Sequence, residues 1–307
     1  MKKIIRIGTR ESQLAVWQAT EVKNLLEKYN HAAELVYIKS EGDIDLKTPL
    51  YEMGVQGIFT RSLDAALLND RIDVAVHSMK DVPTQLPEGI IQAAVLPRGP
   101  VNDLLVFKHD IGFLSNENYI ANIATSSLRR KAQWLNRYPH HQIHNLRGNV
   151  NTRLKKLEEE NWDAAIFAQA GLERIGLRPK NSMIIDWMLP APAQGAILIV
   201  CRKTDNETLE ACSNLHDQST ALCTRIERDF LRALLGGCST PISALAVEKN
   251  NTINFKGNIL SLDGSKKVEI EKSTAVGNAA ELGKTSGKEL LANGGKEIAE
   301  EIRHAVS

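Results

Sequence analysis

The sequence is poor in cysteine, in aromatic residues and in long apolar runs, and each shortage excludes a class of protein. Its four cysteines form no C-x-x-C pair, so a zinc ribbon, a thioredoxin-like motif and a disulfide scaffold are not predicted. The longest apolar run, residues 196–201, is far shorter than the ~18 residues of a membrane-spanning helix. Aromatic residues make up 5% of the chain and the net charge is +1, so we predict neither a nucleic-acid nor a membrane partner.

Several common site motifs are missing as well. There is no Walker loop and no G-x-G-x-x-G fingerprint. His140, His141 and His144 stand close together, but no cysteine or carboxylate cluster accompanies them, so no metal is predicted. Arg6 and Arg10 interrupt the apolar stretch that a signal peptide would need, which predicts a cytoplasmic protein.

The composition and the distribution of charge indicate a globular protein with a basic zone. Of the 307 residues, 43% are hydrophobic and 24% are charged, as in soluble proteins of two or three domains. Residues 121–180 hold 11 Lys and Arg against 5 Asp and Glu, a local charge of +6. This zone predicts a site for anions, although a solvated basic surface is the alternative interpretation.

Strands and helices alternate along the first two thirds of the chain, which predicts α/β sheets of parallel strands. The predicted strands are residues 4–8, 35–38, 72–76, 90–95, 120–124, 142–146, 164–168 and 196–201. The predicted helices are residues 12–29, 61–68, 127–137, 150–160 and 169–175, and residues 41–56 form a long loop. After residue 205 a separate α+β domain is predicted, with helices at 207–215, 220–235, 279–291 and 296–304 and strands at 242–247, 253–259 and 267–271.

Polar residues follow four of the predicted strands at the point where each strand ends. Parallel α/β sheets bind ligands beyond the carboxyl ends of their strands, so these residues are candidate ligand contacts. They are Thr9, Arg10 and Ser12, then Ser78, Lys80 and Asp81, then Thr125, Ser126, Ser127, Arg129 and Arg130, and finally Arg147, Gly148, Asn149 and Arg153.

The third of these groups begins a helix in an unusual way. Ser126 or Ser127 is a good N-cap, and the helix dipole favours acidic side chains in the first turn. Arg129 and Arg130 stand there instead, which is unfavourable unless an anion lies in front of them. Hydroxyls, backbone N–H groups and two guanidinium groups would together bind a carboxylate or a phosphate. The alternative is that both arginines point to solvent or pair with acids elsewhere.

Asp81 and Cys238 are two further candidates. Asp81 follows Lys80 and precedes a rigid Val-Pro step, and a carboxylate among cations could stabilise a cationic intermediate or move a proton. A helix cap or a salt bridge is the alternative role. Cys238 lies between two glycines and a Ser-Thr-Pro run, on a tight loop where a thiol is reachable, whereas most single cysteines are buried small hydrophobes.

Six motifs, in order along the chain, make the sequence similar to the porphobilinogen deaminase (hydroxymethylbilane synthase) family. They are TRESQLAVWQA at 9–19, HSMKDVP at 77–83, TSSLRR at 125–130, LRGNV with TRL at 146–154, AGLER at 170–174 and GGC with a following proline at 236–241. The resemblance runs from about residue 4 to residue 242.

The resemblance implies a transferase of tetrapyrrole (haem and porphyrin) biosynthesis. Such enzymes join four molecules of porphobilinogen, a small-molecule substrate, into hydroxymethylbilane and release ammonia at each addition. They are primed by a dipyrromethane cofactor, one per chain, whose thioether bond maps to Cys238. Each pyrrole carries an acetate and a propionate, which explains a need for several planar guanidinium groups.

The resemblance also implies a role for each matching residue. The catalytic residues would be Asp81, Arg10 and Lys80. The cofactor-binding residues would be Cys238, Ser78, Lys80, Asp81, Thr125, Ser126, Ser127, Arg129, Arg130, Arg147, Gly148 and Asn149. The substrate-binding residues would be Arg10, Ser12, Gln18, Arg147, Arg153, Arg174 and Gln194.

The fold that the resemblance implies is α/β, with two clamp-like domains similar to type II periplasmic binding proteins and a smaller C-terminal α+β domain. Domain 1 would comprise residues 1–96 and 196–214 with the catalytic loop. Domain 2, residues 97–195, would hold the arginine-rich cofactor cradle, and domain 3, residues 215–307, the attachment cysteine. A monomer with its active site between the first two domains is expected.

The sequence departs from the usual family pattern at a few positions. Lysine is frequent in the family at the positions of Glu52 and Gln56, and glycine is usual at that of Ala193. Leu198 and Val200 replace a small residue and a glutamate. A non-catalytic two-domain anion-binding protein is the main alternative, and a DNA-binding regulator is a third. The first gives the attachment cysteine and the catalytic carboxylate no purpose, and the second lacks a helix-turn-helix segment.

Overall fold

The computed structural model describes residues 3–39, 60–234 and 240–306 of the chain. Contacts between Cα atoms divide these residues into two compact units. The first comprises residues 3–39, 60–99 and 195–222, and the second comprises residues 100–194, 223–234 and 240–306. The predicted loop 41–56 and Cys238 lie outside the described residues, and the division into three domains stays a prediction.

The first unit is built on a five-stranded mixed sheet with helices packed against it. Numbered along the chain, its elements are β1 (Ile5–Thr9), α1 (Gln13–Lys28), β2 (Ala33–Tyr37), α2 (Arg61–Leu68), β3 (Val74–Ser78), β4 (Ile90–Val95), β10 (Ile197–Arg202) and α6 (Asn206–Ser213). The strand order is β2-β1-β3-β10-β4. Strands β1, β2 and β3 are parallel, whereas β10 runs antiparallel to both of its neighbours. The first sheet is therefore complete only when the chain returns to it after residue 195.

Helix α1 illustrates why the local sequence forms these elements. The Ser12 side chain caps its first turn, as Ser commonly does. Val22 and Leu26 recur at helical spacing on the side that faces the sheet and are fully buried. They share one apolar core with Ile7 of β1 and Ile199 of β10, so burial of one helix face holds α1 on the sheet.

The second unit contains another five-stranded mixed sheet. Its elements are β5 (Asp103–Phe107), β6 (Asn122–Ala124), α3 (Leu128–Arg137), β7 (Gln142–His144), α4 (Val150–Glu159), β8 (Ala164–Ala168), α5 (Gln169–Arg174) and β9 (Ser182–Ile185). The strand order is β7-β6-β8-β5-β9. Strands β6, β7 and β8 are parallel, and β5 runs antiparallel to β8 and β9. Apolar cores cover both faces of this sheet.

The C-terminal part of the second unit forms a small α+β fold, as predicted. Its elements are α7 (Gln218–Ala233), whose first turn belongs to the first unit, β11 (Ile242–Lys249), β12 (Thr252–Leu260), β13 (Lys267–Ala275), α8 (Leu282–Leu290) and α9 (Lys296–Val306). The strands pair antiparallel in chain order. Phe230 of α7 packs edge-on against Phe255 of β12, with ring centroids 5.2 Å apart. In the described parts of the chain, no helix combines the length and the apolar character needed to cross a membrane.

Most of the predicted elements are present, but both sheets are mixed, whereas the alternation of strands and helices predicted parallel sheets. Strands β5 and β10 are antiparallel to their neighbours, and neither β5 nor β9 is among the strands predicted from the sequence. The chain reaches β5 from the first sheet and β10 from the second. Neither strand therefore follows a crossover from a strand of its own sheet, which is the connection that would force it to be parallel. Strand β5 is buried on both faces, so it lacks the alternating pattern that identifies a strand.

A charged network joins three strands at the edge of the first sheet where β1 and β3 begin. The buried Asp73 precedes β3 and accepts hydrogen bonds from Arg6 Nε at 2.9 Å and Arg202 Nη2 at 3.0 Å, and Lys3 Nζ lies 3.0 Å away. Burial alone would raise the pKa of Asp73, but hydrogen bonds from Arg6, Lys3 and Arg202 hold it well below its usual range. The network therefore ties β1, β3 and β10 together.

Candidate functional site

The carboxyl ends of β1 and β3 lie side by side and bring predicted site residues together. The two strands are parallel and in register, so Arg10, just after β1, is a neighbour of His77 on β3. Strand β10 begins at the same edge because it is antiparallel, with Ile197 opposite Ser78. This edge of the first sheet carries the predicted residues Arg10, Ser12, Ser78, Lys80 and Asp81.

Gln18 and Ser78 are in direct contact within the first unit. Gln18 is buried, and its Nε2 donates a hydrogen bond to Ser78 Oγ at 3.0 Å. Helix α1 thus holds the residue that ends β3. The predicted roles of Gln18 toward the substrate and of Ser78 toward the cofactor stay predictions.

Asp81 lies in a short 3-10 turn, Met79–Asp81, that follows β3 directly. The buried Met79 anchors this turn, since its N–H donates to the oxygen of Ala196 at 3.0 Å. Asp81 itself is exposed and Lys80 is half-buried. The turn therefore presents a carboxylate and an ammonium group at the edge where Arg10 lies.

His77 is a buried group at this edge to which the sequence analysis assigned no role. Its Nε2 has no hydrogen-bond partner among the described residues. Burial, and to a smaller extent the positive charge of Arg10, lower the pKa of His77 to about 4. His77 is therefore neutral near pH 7, and its place in the HSMKDVP motif is the one sequence signal that marks it.

A corresponding edge of the second sheet gathers the second set of predicted residues. Strands β6, β7 and β8 are parallel and in register, so the segments that follow them lie together. Strand β5 is antiparallel and begins at this edge, with Asp103 opposite Ala168. The edge carries Thr125, Ser126, Ser127, Arg129, Arg130, Arg147, Gly148 and Asn149 together with Asp103.

Asp103 binds both arginines of the unusual helix start. Arg129 Nη1 donates to Asp103 Oδ2 at 2.5 Å, and Arg130 donates to Oδ1 from Nη2 at 2.8 Å and from Nε at 3.1 Å. All three side chains are buried. Burial alone would raise the pKa of Asp103, but the charges of Arg129 and Arg130 hold it well below its usual range. Both arginines therefore pair with an acid of the protein itself. This pairing is the alternative to an anionic ligand that the sequence analysis left open.

Gln194 is the third contact of the Asp103 carboxylate. Its Nε2 donates to Asp103 Oδ1 at 3.0 Å and to the oxygen of Val101 at 2.7 Å. Its Oε1 lies 3.5 Å from Arg129 Nη2. Gln194 thus belongs to the buried arginine cluster, and its predicted contact with the substrate stays a prediction.

The hydroxyl groups before α3 shape the loop that precedes the arginines. Ser127 is the N-cap, and its Oγ accepts from the N–H of Arg130 at 3.4 Å. Ser126 Oγ accepts from the N–H of Leu146 at 3.0 Å, and Thr125 Oγ1 accepts from the N–H of Ser127 at 3.2 Å. The Ser126 bond joins the segments that follow β6 and β7, and the other two bonds order the loop before α3 locally.

The segment after β7 has a comparable local order. Gly148 has a φ of +112°, and a Cβ there would lie 2.7 Å from Thr152 Cγ2, so glycine is required. Asn149 caps α4 by accepting from the N–H of Thr152 at 3.0 Å, and Arg153 Nε donates to the oxygen of Gly148 at 2.7 Å. Arg147 is buried in this segment, and Arg174 closes α5.

Ala193 is one of the positions where the sequence departs from the family pattern, which usually has glycine there. It is buried and has a φ of +61°, a left-handed conformation that favours glycine. Its N–H donates to Glu227 Oε2 at 2.6 Å, and Glu227 Oε1 accepts from the N–H of Ala246 at 2.8 Å. Glu227 is a fully buried acid that the sequence analysis missed because its partners are distant in the chain.

Three of the four cysteines, Cys201, Cys212 and Cys223, are buried. Burial raises the pKa of Cys201 to about 11 and that of Cys212 to about 12. Both thiols are therefore protonated near pH 7 and are poor nucleophiles. Cys238, Glu52 and Gln56 lie outside the described residues.

Both units of the chain contain residues that match known protein families. The family model described as "Porphobilinogen deaminase, dipyromethane cofactor binding domain" matches residues 5–210. The model described as "Porphobilinogen deaminase, C-terminal domain" matches residues 221–292. Among solved structures, the periplasmic aliphatic sulphonate binding protein SsuA from Escherichia coli is similar over 75% of this chain and 70% of that chain, with 14% identity and a TM-score of 0.40.

Curated relatives match along almost the whole chain. A porphobilinogen deaminase of Desulforamulus reducens is 43% identical over 99% of this chain and 99% of its own length. A chloroplastic porphobilinogen deaminase of Oryza sativa subsp. japonica is 42% identical over 95% of this chain and 84% of its own length. The six motifs occur in order, both family models match, and the identity to these curated relatives exceeds 40% over almost the whole chain. The chain therefore belongs to the porphobilinogen deaminase family.

Proposed function

We propose that this chain condenses four porphobilinogen molecules head to tail into hydroxymethylbilane and releases ammonia at each addition. Membership of the family across residues 5–210 and 221–292 supports this reaction. The enzyme is a transferase of tetrapyrrole biosynthesis, and its substrate is a small molecule that carries two carboxylates.

The buried arginine pair is the observation that carries the proposal. Arg129 and Arg130 share the single carboxylate of Asp103, so this cluster keeps one positive charge in excess. A buried charge without a counter-ion is costly, and an anionic group of a ligand would balance it. Arg129 Nε has no hydrogen-bond partner among the described residues, so it can donate to that group.

These residues fit a dipyrromethane. Both of its pyrroles carry an acetate and a propionate, and guanidinium groups bind carboxylates in a planar, bidentate geometry. When bound, the dipyrromethane supplies the pyrrole carbon to which the first porphobilinogen is joined. The proposed cofactor contacts are Ser78, Lys80, Asp81, Thr125, Ser126, Ser127, Arg129, Arg130, Arg147, Gly148 and Asn149. The proposed substrate contacts are Arg10, Ser12, Gln18, Arg147, Arg153, Arg174 and Gln194.

Asp81 is the proposed catalytic carboxylate. It is exposed at the end of β3, and Lys80 precedes it in the same turn. A carboxylate at this place stabilises the positive charge that develops on porphobilinogen as ammonia leaves, and it can hold a proton. Arg10, at the same edge, is proposed to bind a substrate carboxylate and orient the substrate.

Cys238 is the proposed attachment point of the dipyrromethane. Attachment breaks the C–N bond of a porphobilinogen aminomethyl group and forms an S–C bond to Cys238 Sγ, and the thiol proton leaves with ammonia. Strand β11 begins four residues later, and its Ser243 Oγ accepts a hydrogen bond from Gln133 Nε2 of α3 at 3.0 Å. The strand that follows Cys238 is thus tied to the helix that begins with the arginine pair.

An intact mass measurement with peptide mapping tests the proposed function. The purified protein is expected to exceed its sequence mass by two porphobilinogens less two ammonias, with the extra mass on Cys238. The control variant Cys238→Ser should carry no extra mass, and Cys201, Cys212 and Cys223 should be unmodified in both proteins. An unmodified Cys238 in protein that also takes up no added porphobilinogen would contradict the proposal and leave the anion-binding alternative.

We also propose that the protein is a cytoplasmic monomer that needs no metal, nucleic acid or membrane. The near-neutral net charge of +1 supports the absence of a nucleic-acid partner. Sedimentation velocity of the cofactor-loaded protein should give one species slightly above the 34.0 kDa of the bare chain, whereas a species of twice that mass would contradict the monomer.

A further inference from the structure

The arrangement of Arg129 and Arg130 depends on one carboxylate. Residues next to each other on a helix point about 100° apart, so these two side chains would leave α3 in different directions. Instead, both guanidinium groups turn to Asp103, one to each of its oxygens. The carboxylate therefore brings two diverging cations to the same edge of the sheet.

The other hydrogen bonds of Arg129 and Arg130 orient the two guanidinium groups without adding a charged partner. Arg129 Nη1 also donates to the oxygen of Leu189 at 3.1 Å, and Arg130 Nη1 donates to the oxygen of Ile166 at 3.0 Å. Gln194 contributes a neutral amide. Among the described residues, Asp103 is thus the one negative charge that hydrogen bonds to the pair, and the cluster keeps a charge of +1.

We propose that Asp103 is a positioning residue that holds Arg129 and Arg130 in the directions that bind the carboxylates of the dipyrromethane. It also sets the excess charge of the cluster at +1, which leaves room for one carboxylate of the ligand. The inference rests on the proposed function, and it adds to it a residue that does not touch the reacting atoms.

Two substitutions of Asp103 separate the effect of its negative charge from the effect of the position of that charge. In Asp103→Asn, two buried guanidinium groups face each other with no anion between them, so repulsion turns them away from the edge. In Asp103→Glu, the charge is kept, but one more methylene group displaces both guanidinium groups. A displacement of about 1 Å can slow a positioned reaction roughly 100-fold, so the smaller displacement that keeps the ion pairs in Asp103→Glu should slow attachment less than loss of the charge.

The test follows attachment of the dipyrromethane to folded, cofactor-free protein. Wild type, Asp103→Asn and Asp103→Glu are made in cells that cannot form porphobilinogen. Porphobilinogen is then added, and the gain in intact mass gives the rate of attachment, while thermal unfolding of the same samples gives stability. Asp73→Asn is the matched control, because Asp73 is an equally buried acid that binds Arg6 and Arg202 away from the site.

The expected outcome separates positioning from stability. Attachment should slow roughly 100-fold in Asp103→Asn and roughly tenfold in Asp103→Glu. Asp73→Asn should lower the unfolding temperature but change the attachment rate by less than about twofold, since distant sites act independently. A purely structural role would make the two Asn variants alike.

Two results would overturn the inference. One is attachment at the wild-type rate in a folded Asp103 variant, and Asp103→Glu decides alone if Asp103→Asn does not fold. The other is equal slowing of attachment in Asp73→Asn and Asp103→Asn. Wild-type protein that gains no mass would instead contradict the proposed function, so the two failures are distinguishable.

Discussion

At the scale of single residues, Asp81 and Asp103 show how surroundings assign different roles to the same side chain. Asp103 is fully buried and shared by two arginines. Although burial alone would raise its pKa, the charges of Arg129 and Arg130 hold it well below the usual range. Asp103 is therefore ionised at every working pH and cannot transfer a proton. Asp81 is exposed beside the proposed substrate contacts, which is the setting that its proposed catalytic role requires.

Substitution of Asp81 should affect the reaction and leave the fold unchanged. We expect Asp81→Asn to lower kcat by about 10²–10³-fold, because an amide cannot stabilise the positive charge that develops on the substrate. The free energy of unfolding should change by less than about 0.5 kcal/mol, since the side chain is exposed. Steady-state kinetics and urea unfolding check both expectations. Glu117→Gln, an exposed control in the second unit, should keep wild-type kcat, and a similar loss there would contradict the assignment.

Ala193 predicts a stabilising substitution. Its φ of +61° costs an alanine roughly 1–2 kcal/mol relative to glycine, partly offset by the greater freedom of glycine in the unfolded chain. Ala193→Gly should therefore raise the free energy of unfolding by about 0.5–1 kcal/mol in urea titrations. The control Ala196→Gly, at an ordinary φ, should lower it by about 1 kcal/mol. Destabilisation by both substitutions would show that Ala193 is not strained.

At the scale of elements, the direction of two strands completes the site edges. Strands β5 and β10 are antiparallel to their neighbours, so their first residues lie where the parallel strands end. The structure places the arginines, the hydroxyls and Asp81 after strand ends, as the sequence predicted, and their contacts with a ligand stay predictions. The rule that ligand contacts follow strand ends missed Asp103 because Asp103 starts a strand, and strand direction cannot be predicted from the residues of the strand itself.

The turn between β12 and β13 supports the helix that carries the arginine pair. Gly264 has a φ of +77°, and a Cβ there would lie 2.4 Å from the oxygen of Ala132 and 2.6 Å from the nitrogen of Asn136, both on α3. Asn136 Nδ2 also donates to the oxygen of Gly264 at 2.8 Å. The backbone of the turn therefore packs directly on α3, and there is no space for a side chain.

This contact predicts a large effect for a single methyl group. Gly264→Ala should lower the free energy of unfolding by about 2–4 kcal/mol, from the left-handed backbone and the clash with α3 together. Gly277→Ala is the control, because its Cβ would meet nothing within 4 Å, and it should change stability by less than about 0.5 kcal/mol. If denaturant titrations gave Gly264→Ala and Gly277→Ala the same change in the free energy of unfolding, the turn would not be tightly packed on α3.

At the scale of the whole molecule, buried groups in both units respond to acid in the same direction. Burial, aided by the charge of Arg10, lowers the pKa of His77 to about 4 in the first unit. Burial, aided by His140, lowers the pKa of His141 to about 4 in the second. A lowered pKa means that the unfolded chain binds protons more readily than the folded one. Stability is therefore complete above the unfolded histidine pKa of about 6.5 and declines as pH falls.

We expect acid to destabilise the protein in two stages. Between pH 6.5 and 4, each buried histidine should remove on the order of 2 kcal/mol from the free energy of unfolding. Below about pH 4, protonation of the carboxylates Asp73 and Asp103 should remove more. Urea titrations at several pH values measure this profile. His141→Gln should flatten its first stage, whereas the exposed control His109→Gln should not, and an unchanged slope in His141→Gln would contradict the origin proposed.

Taken by itself, the sequence determined the position of most helices and strands, the cap of α3, and the motif residues that identify the family. These features depend on residues within a few positions of each other, so periodicity and local hydrogen bonding suffice to predict them. The tertiary structure alone decided that β5 and β10 run antiparallel, that His77 is buried and neutral, and that Arg129 and Arg130 share Asp103. Each of these depends on a contact between distant segments, such as the 26 positions that separate Asp103 from Arg129. Packing brings such segments together. The free energy of a buried charge depends on the groups that surround it in space, so the local sequence does not reveal it.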